Sequence, residues 1–249
     1  MEQKEMPKVV YKYRRWDNAF HKRILDNNEV YYSAPSDFED ELDCNPPIDY
    51  PQGQELFMYI LKYSMSHNLN KSYVWHIWNA SKLYQSSPMS LPLELEKVER
   101  DNKNNFNKKF GVLSLATHCN IDAMWNKYSD MHRGFCVGFD TYRLFSSIKG
   151  GCGSVMYVES LPRINYANDS LDEKIIKTVF YKEKKWEYEH EYRFHTMWDD
   201  IDKVERNCRL QWNTVVEVVL GKNMPSIYRQ EIIDIVKLKH PKARIIEER

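Results

Sequence analysis

The segment Lys184–Phe194 combines an acid-x-acid pair, an arginine and several aromatic side chains. Successive residues of a β-strand point to opposite faces of a sheet, so an extended conformation here would separate charged from aromatic residues. Neighbouring carboxylates raise one another's pKa, and an adjacent arginine keeps one of them ionised, as general acid–base chemistry requires. The same pattern is also typical of a solvated antiparallel strand without chemistry. The charged face would contain Glu187, Glu189, Glu191 and Arg193, and the opposite face Trp186, Tyr188, His190 and Tyr192.

A second polar and aromatic group consists of Trp125, Tyr128 and His132. Trp125 and Tyr128 are three residues apart and share a face if the segment is helical. The pair could stack on a base or a nicotinamide ring beside His132. Alternatively Trp125 is a core residue, the usual location of a large aromatic side chain. His132 lies before a glycine and is typical of a hydrogen-bonding latch at a turn, with a general base as the alternative.

Signatures of metal sites and activated nucleophiles are missing from the sequence. The five cysteines are widely spaced and form no CxxC pair, which argues against structural zinc and against a disulfide scaffold. No Gly-x-Ser-x-Gly elbow is present. The acidic run 37–43 could bind a divalent cation through carboxylate oxygens, but it lacks EF-hand spacing, and a solvated loop is the alternative. We therefore expect no metal and no disulfide.

The composition bounds the possible partners. The 249 residues include 36 basic and 36 acidic side chains, so net charge gives no argument for binding nucleic acid or a membrane. Aromatic residues make up 14% of the chain, which suits either stacking on rings or core packing. Neither a signal peptide nor an apolar run long enough to cross a bilayer is recognisable. We expect a cytoplasmic protein with no membrane partner.

The order of the predicted elements indicates an α+β fold. Strands and helices mix without regular alternation, which predicts a mixed or antiparallel sheet, with a split sheet as an open alternative, and flanking helices. We expect one domain over residues 1–249 and a helical insertion or cap over 52–109, where aromatic residues recur at helical spacing. Gly150–Gly153 is interpreted as a turn, and Phe20 and Ile227 are placed on the buried faces of their helices. The predicted strands are 9–13, 29–33, 111–116, 134–140, 155–158, 184–194, 214–220 and 243–246, and the predicted helices are one after Asp17 and those at 121–128 and 226–239.

Three blocks of the chain resemble a bacterial family of proteins of unknown function, domain family twenty-nine seventy-one. The opening block runs from Tyr11 to Phe38, the middle block from Met124 to Asp140, and the last block from Lys185 to Arg193. The resemblance implies a context of phage defence and abortive infection, and hence a conditional toxin or effector with a possible partner protein from a defence system.

The chain is also similar, more weakly, to ADP-ribosyltransferase folds, which open with a strand, a helix and a second strand and close with a catalytic glutamate on a late strand. That resemblance implies that NAD is the substrate, that Glu191 or Glu189 is catalytic, and that nucleic acid or protein accepts the ADP-ribose. In place of the opening His or Arg followed by Gly or Thr, this chain has Lys12-Tyr13-Arg14. The implied substrate-binding residues are Tyr13, Arg14, Tyr31, Ser33, Trp125, Tyr128, His132 and Arg193.

Two other functions stay open. In a non-catalytic sensor or protein-binding module, Glu189, Glu191 and Arg193 would form an ion-pair network that fixes the sheet. In a metal-dependent nuclease, the acidic run would hold the ion. If the transferase interpretation holds, Arg14, Ser33, Trp125 and Glu191 should border one cleft.

Overall fold

The computed structural model describes residues 5–90 and 92–248 of the chain. Its architecture is the α+β fold that the sequence predicts, with a mixed sheet and flanking helices. In chain order the strands are β1 (Val9–Arg14), β2 (Glu29–Tyr31), β3 (Ile48–Asp49), β4 (Phe110–Ala116), β5 (Phe135–Asp140), β6 (Gly151–Ser154), β7 (Met156–Val158), β8 (Ile164–Asn165), β9 (Tyr181–Glu183), β10 (Glu191–Met197), β11 (Asn207–Arg209), β12 (Val215–Leu220) and β13 (Arg244–Glu247).

The helices surround the sheet and fill the segment that the sequence predicts to be helical. Within residues 52–109, three α-helices cover most of the described positions, and their own apolar contacts include Leu56, Ile60 and Ala80. The α-helices are α1 (Ala19–Asp26), α2 (Gly53–His67), α3 (Tyr73–Gln85), α4 (Pro92–Lys109), α5 (Asp122–Tyr128), α6 (Thr141–Ser147), α7 (Leu171–Val179) and α8 (Ser226–Lys239).

Seven strands form the main sheet in the order β13-β12-β5-β1-β4-β10-β6. Its pairs are antiparallel except β12 with β13, which are parallel because α8 connects them as a crossover. Three two-stranded pairs lie outside it, namely β2 with β11, β3 with β8, and β7 with β9.

The main sheet opens between β1 and β4. β1 pairs with β5 along its whole length, from Val9 opposite Asp140 to Arg14 opposite Phe135. In contrast, the register between β1 and β4 within the described residues contains the single pair Tyr11 with Ala116. Beyond Tyr11 the two strands diverge, so the sheet is split there. A cleft between these strands is the consequence.

Apolar side chains cover both faces of the sheet near the split. The alternation of β1 sends Val10 into a large core with Val137, Val218 and Ile232 of α8, whereas Tyr13 joins a cluster on the other face. That second cluster includes Trp125, Cys136 and Val219. β1 is therefore held from both sides although it has lost most of its ladder with β4.

The segment 184–194 is not one strand, as the sequence pattern suggested. Lys184–Glu189 forms a 3-10 helix, His190 takes a left-handed conformation with φ of 44°, and the strand begins at Glu191. The reason lies in the neighbouring strand, because β4 ends at Ala116, the partner of Glu191. Residues before Glu191 have no strand edge to pair with.

The prediction of a turn at Gly150–Gly153 is also wrong. Gly151–Ser154 pairs with β10 as the edge strand of the sheet. The glycines fit because large side chains of neighbouring elements lie against them: a Cβ on Gly151 would lie 2.5 Å from Nε2 of His195, and one on Gly153 would lie 3.2 Å from Phe180. Glycine in this strand marks close approach.

Two residues assigned to buried helix faces lie in solvent. Phe20 is 78% exposed and Ile227 is 67% exposed, and each stands near the beginning of its helix. Burial falls instead on Ile24 and Leu25 of α1 and on Ile232 and Val236 of α8. Asn18, not Asp17, caps α1 by accepting a hydrogen bond from the N–H of Phe20. No helix in the described part of the chain is both long enough and apolar enough to span a bilayer.

Candidate functional site

The split in the sheet forms a cleft of about 440 Å³. This volume falls within the range of small-molecule sites, which is about 300–1,000 Å³. Its walls come from β1, β4, β10, the loop after β2, α5 and the 3-10 helix that precedes β10. The lining residues are Tyr11, Lys12, Tyr13, Arg14, Arg15, His21, Ser33, Asp37, Phe38, Glu39, Asp40, Asp43, Ser114, Leu115, Ala116, Met124, Lys127, Tyr128, Lys182, Trp186, Glu189 and Glu191.

One wall of the cleft, the cationic wall, is lined by basic side chains, and the two central ones, Lys12 and Arg14, have no carboxylate partner among the described residues. Arg14 hydrogen-bonds, among the described residues, only to the carbonyl of Tyr13, at 3.4 Å. The Nζ atom of Lys12 donates to the carbonyl of Ser114 at 2.5 Å, where the β1–β4 ladder is broken. His21 of α1 also lines the wall, and its Nδ1 is buried without a partner within the described part of the chain.

The basic side chains of this wall have lowered pKa values. Desolvation lowers the pKa of Arg14 to about 10. Desolvation, followed by the charge of Arg14, lowers the pKa of His21 to about 4. Desolvation and the charge of Arg14 likewise lower the pKa of Lys12 well below its ordinary value. A wall with a guanidinium that has no carboxylate partner among the described residues is suited to the anionic part of a ligand.

Opposite the cationic wall lies a buried network of three carboxylates and two cations. Glu189 accepts hydrogen bonds from Nζ of Lys182 at 2.6 Å and from the hydroxyl of Tyr128 at 2.7 Å. Glu191 accepts from Nε and Nη2 of Arg193 at 2.9 and 2.6 Å. These four bonds hold both members of the acid-x-acid pair in fixed positions.

Asp43 completes this carboxylate network from the loop after β2. Nη1 and Nη2 of Arg193 donate to its two carboxylate oxygens at 2.8 and 2.7 Å, a bidentate pair. Nζ of Lys182 lies 3.3 Å from Asp43 and 3.4 Å from Glu191, so one ammonium group bridges the carboxylates. The network contains one more formal negative charge than positive charges.

The network keeps the carboxylates of Glu191 and Asp43 ionised. Desolvation raises the pKa of Glu191, but the charges of Arg193 and Lys182 outweigh it, and the net shift is downward. The pKa of Asp43 is lowered for the same combination of reasons. Desolvation acts against the charged forms of Lys182 and Arg193, yet the surrounding carboxylates raise the pKa of both.

The two carboxylate oxygens of Glu191 differ in their hydrogen bonds. Its hydrogen bonds from Arg193 and Lys182 all reach Oε2, and none of the described residues donates to Oε1. The backbone N–H of Glu191 donates to the hydroxyl of Tyr157 at 2.8 Å, which fixes the beginning of β10. An ionised, positioned carboxylate that lines the cleft can therefore accept a hydrogen bond from a ligand or stabilise positive charge on it.

The cleft contains six of the residues nominated from the sequence, namely Tyr13, Arg14, Ser33, Tyr128, Glu189 and Glu191. Arg193 is buried behind Glu191 and does not line the cleft. Trp125 lies below it and packs edge-on against Tyr13, with ring centroids 5.3 Å apart. The expected grouping of Arg14, Ser33, Trp125 and Glu191 is thus found for three residues, while Trp125 supports the wall.

Two nominated residues lie away from the cleft. Tyr31 is 46% exposed on β2, where it pairs with Asn207 of β11. His132 is buried, and its ring nitrogens lie 2.5 Å from Glu248 and 3.3 Å from Asp122. His132 therefore has the geometry of the hydrogen-bonding latch that the sequence offered as one alternative.

Several residues of the site were not predicted from the sequence. Lys12 stands inside the quoted Lys12-Tyr13-Arg14 run, but nothing local indicates that it faces a cleft. Lys182 comes from the short strand β9, and Asp43 from the acidic run that suggested a metal site. No group of three metal-binding side chains exists among the described residues, and Asp43 pairs with Arg193 instead.

Trp186 forms an aromatic rim at the mouth of the acidic wall. Its indole N–H donates to Asp40 at 2.6 Å, and the ammonium groups of Lys127 and Lys182 lie 4.3 and 5.1 Å from its ring centroid. Such contacts fix an indole ring by cation–π attraction. A flat ligand entering the cleft would meet this ring.

Comparison with known proteins gives one match. Residues 124–194 match the model of a family described as "Protein of unknown function (DUF2971)". The matched range includes Tyr128, Lys182, Glu189 and Glu191 and thus supports the family resemblance for the middle and last blocks, while β1 with its cationic wall lies outside it. No match was found among curated proteins or among solved structures.

Proposed function

We propose that the protein is an ADP-ribosyltransferase-like enzyme that binds NAD in the cleft between β1 and β4. The observation that carries the proposal is that one cleft in a split sheet combines the guanidinium of Arg14, which has no carboxylate partner among the described residues, with the ionised carboxylate of Glu191. NAD requires both, because it has an anionic pyrophosphate and a ribose that becomes positively charged during bond cleavage. The volume of the cleft supports the binding of a ligand of intermediate size.

In the proposed reaction Arg14 binds the pyrophosphate and Glu191 faces the nicotinamide ribose. The bond between C1′ of the ribose and the nicotinamide nitrogen breaks, and its electron pair leaves with nicotinamide. The oxocarbenium-like ribose is stabilised by the negative charge of Glu191, which Arg193 and Lys182 keep ionised. An oxygen or nitrogen lone pair of the acceptor then bonds to C1′, and the acceptor proton passes to solvent.

The acceptor in this proposal is a nucleic acid or a protein, and water would make the enzyme an NAD glycohydrolase. The family resemblance supports a role as a toxin or effector of phage defence that acts in the cytoplasm, where NAD is available, and that a partner protein of the defence system restrains. Induced expression in a bacterial host should then stop growth, and the Glu191→Gln variant should not.

The direct test is release of nicotinamide from NAD by the purified full-length chain, alone and with RNA, single-stranded DNA or protein as acceptor. Glu191→Gln should lower the rate at least about a hundredfold, as loss of a key electrostatic group does elsewhere. Arg14→Gln should mainly raise KM, because it removes a binding contact. The matched controls are Glu187→Gln and Arg209→Gln, which change exposed side chains outside the cleft lining.

Two results would contradict the proposal. A wild-type protein that leaves NAD intact with every acceptor would reject the enzymatic proposal. Toxicity that persists in the Glu191→Gln variant would separate any toxin role from this site.

A second function, a non-catalytic sensor that binds a ligand in the cleft, is favoured by one observation. Glu189 and Glu191 are already engaged by Tyr128, Lys182 and Arg193, which gives them a structural reason to be present. Calorimetry that detects NAD binding without nicotinamide release would support the sensor.

A further inference from the structure

Lys12 is a half-buried amine in the cleft, and the proposed function assigns no role to it. It stands in the middle of β1, lines the cleft, and makes no ion pair with any described carboxylate. Its described hydrogen bond is the one from Nζ to the carbonyl of Ser114, at 2.5 Å. A lysine that neutralises a carboxylate would have a carboxylate oxygen, and not only a backbone carbonyl, within hydrogen-bonding distance of Nζ.

The hydrogen-bonding capacity of Lys12 is mostly unused. An ammonium group has three N–H donors, whereas a neutral amine has two donors and one lone pair. Donation to Ser114 satisfies one N–H, and no described side chain accepts the others. A neutral amine in this position retains one N–H and a lone pair that can reach the cleft.

The charges around Lys12 come from each element that packs near it. Arg14 on β1 and Arg193 on β10 act against a positive charge, whereas Glu191 on β10 and Glu189 in the 3-10 helix favour one. His21 on α1 also lines the cleft, but its pKa is lowered to about 4, so it is neutral at pH 7. The two carboxylates are themselves paired with Arg193 and Lys182. Desolvation is the largest influence, and the pKa of Lys12 falls well below its ordinary value. Lysines whose pKa is lowered in this way serve as nucleophiles.

We propose that Lys12 is an amine nucleophile that forms an imine with a small aldehyde or ketone carrying a phosphate group. The lone pair of Nζ bonds to the carbonyl carbon, and the carbonyl oxygen takes up a proton to give a carbinolamine. Loss of the hydroxyl group and of the nitrogen-bound proton as water leaves the C=N bond. Hydrolysis reverses the reaction, so no oxidant or reductant is consumed.

The phosphate follows from the position of Arg14. Residues two apart on a strand point to the same side, about 6.5 Å apart along it. The guanidinium of Arg14, which has no carboxylate partner among the described residues, is thus on the same side of β1 as the amine of Lys12 and is near enough for its charge to lower the pKa of that amine. Its N–H fork fits phosphate oxygens. This inference does not depend on NAD turnover.

The test is reductive trapping on the folded, full-length protein. Pyridoxal 5′-phosphate supplies an aldehyde and a phosphate, sodium borohydride reduces the imine, and peptide mass spectrometry measures labelling at each lysine. At pH 7 Lys12 should be labelled at least about tenfold more than the exposed Lys62 and Lys71, because an ordinary lysine is almost entirely protonated there. Phosphate-free pyridoxal should label Lys12 more weakly, and Arg14→Gln should remove the difference between the two probes.

The pH dependence provides a second readout. Between pH 7 and 9 labelling of the reference lysines should rise about tenfold per pH unit, while labelling of Lys12 should rise less steeply because its pKa is lowered. Labelling of Lys12 no faster than that of Lys62 and Lys71, or rising in parallel with them, would overturn the proposal. Equal labelling by pyridoxal and its phosphate would overturn the phosphate part.

Discussion

Glu191 and Arg193, two residues apart on β10, are joined by two hydrogen bonds of 2.9 and 2.6 Å to the same carboxylate oxygen. Arg193 has no exposed surface, and it also binds Asp43 through both carboxylate oxygens. The strand alternation that puts both side chains on one face therefore creates an arginine with two acidic partners. Glu191 is simultaneously a wall of the cleft and a member of the structural network.

Because Glu191 has both roles, Glu191→Gln should cost stability as well as activity. In this variant Arg193 is still paired with Asp43, and Lys182 is still paired with Glu189, so the remaining charges stay paired. We expect the free energy of unfolding to fall by about 1–3 kcal/mol, less than the loss of an isolated buried pair. Urea titration of the variant beside Glu187→Gln, which should change stability by less than about 0.5 kcal/mol, measures the difference. An unfolded Glu191→Gln variant would contradict this expectation.

Acidification should destabilise the protein through the same network. The pKa values of Asp43 and Glu191 are lower in the folded protein than their ordinary values of 3.8 and 4.5. Folding therefore favours the ionised carboxylates, and their contribution is fully present above about pH 5 and is lost as pH falls through the folded values. Unfolding free energies measured from pH 7 to pH 3 should decline, and the decline should be shallower in Asp43→Asn. A profile unchanged by that substitution would mean that Asp43 does not contribute.

The sequence predicted the long elements of the sheet because their side chains alternate or form apolar runs. Val9–Arg14 and Phe135–Asp140 differ from the predicted strands by one residue at one end. The 3-10 helix Lys184–Glu189 could not be predicted in this way, since the polar and aromatic alternation of that segment also suits a strand. Its conformation depends on where β4 ends, and β4 is distant from this segment in the sequence.

The site residues divide in the same way into those that a local pattern predicts and those that depend on long-range contacts. Arg14, Tyr128, Glu189 and Glu191 could be nominated because their residue types and the resemblance drew attention to them. The half-buried position of Lys12 in the cleft results from the separation of β1 and β4, which no local pattern encodes. Tyr31 and Trp125 were nominated as substrate-binding residues, but aromatic side chains pack into walls and surfaces as readily as they line clefts.

Gly134 should be intolerant of substitution because the backbone of β1 lies against it. A Cβ at this position would lie 2.2 Å from the carbonyl oxygen of Arg14. To relieve this clash, β1 would have to move at Arg14, which forms part of the cationic wall. We expect Gly134→Ala to lower stability by about 1–3 kcal/mol and to weaken ligand binding.

Gly153→Ala is the matched control for this prediction. Its new Cβ would meet the ring of Phe180 at 3.2 Å, and a side chain can shift more easily than a backbone carbonyl. Thermal melting of both variants distinguishes the two cases. Equal losses would mean that the contact with Arg14 is not decisive.

Tyr13 should connect the stability of the wall to ligand binding. Its hydroxyl donates to the carbonyl of His118 at 2.8 Å and accepts from the N–H of Ile121 at 3.2 Å, so it ties β1 to the residues before α5. Tyr13→Phe keeps the ring contact with Trp125 but leaves those two backbone groups without this partner. We expect a loss of about 1–3 kcal/mol.

The effect of Tyr13→Phe should extend to the cleft, because α5 carries Lys127 and Tyr128 into its lining. Looser attachment of α5 should weaken NAD binding in calorimetry and increase hydrogen exchange of the α5 amides. Tyr142→Phe, which changes a tyrosine that is 72% exposed outside the cleft, is the control and should leave both measurements unchanged. A Tyr13→Phe protein with lower stability but unaltered exchange in α5 would show that the hydroxyl stabilises β1 without positioning the wall.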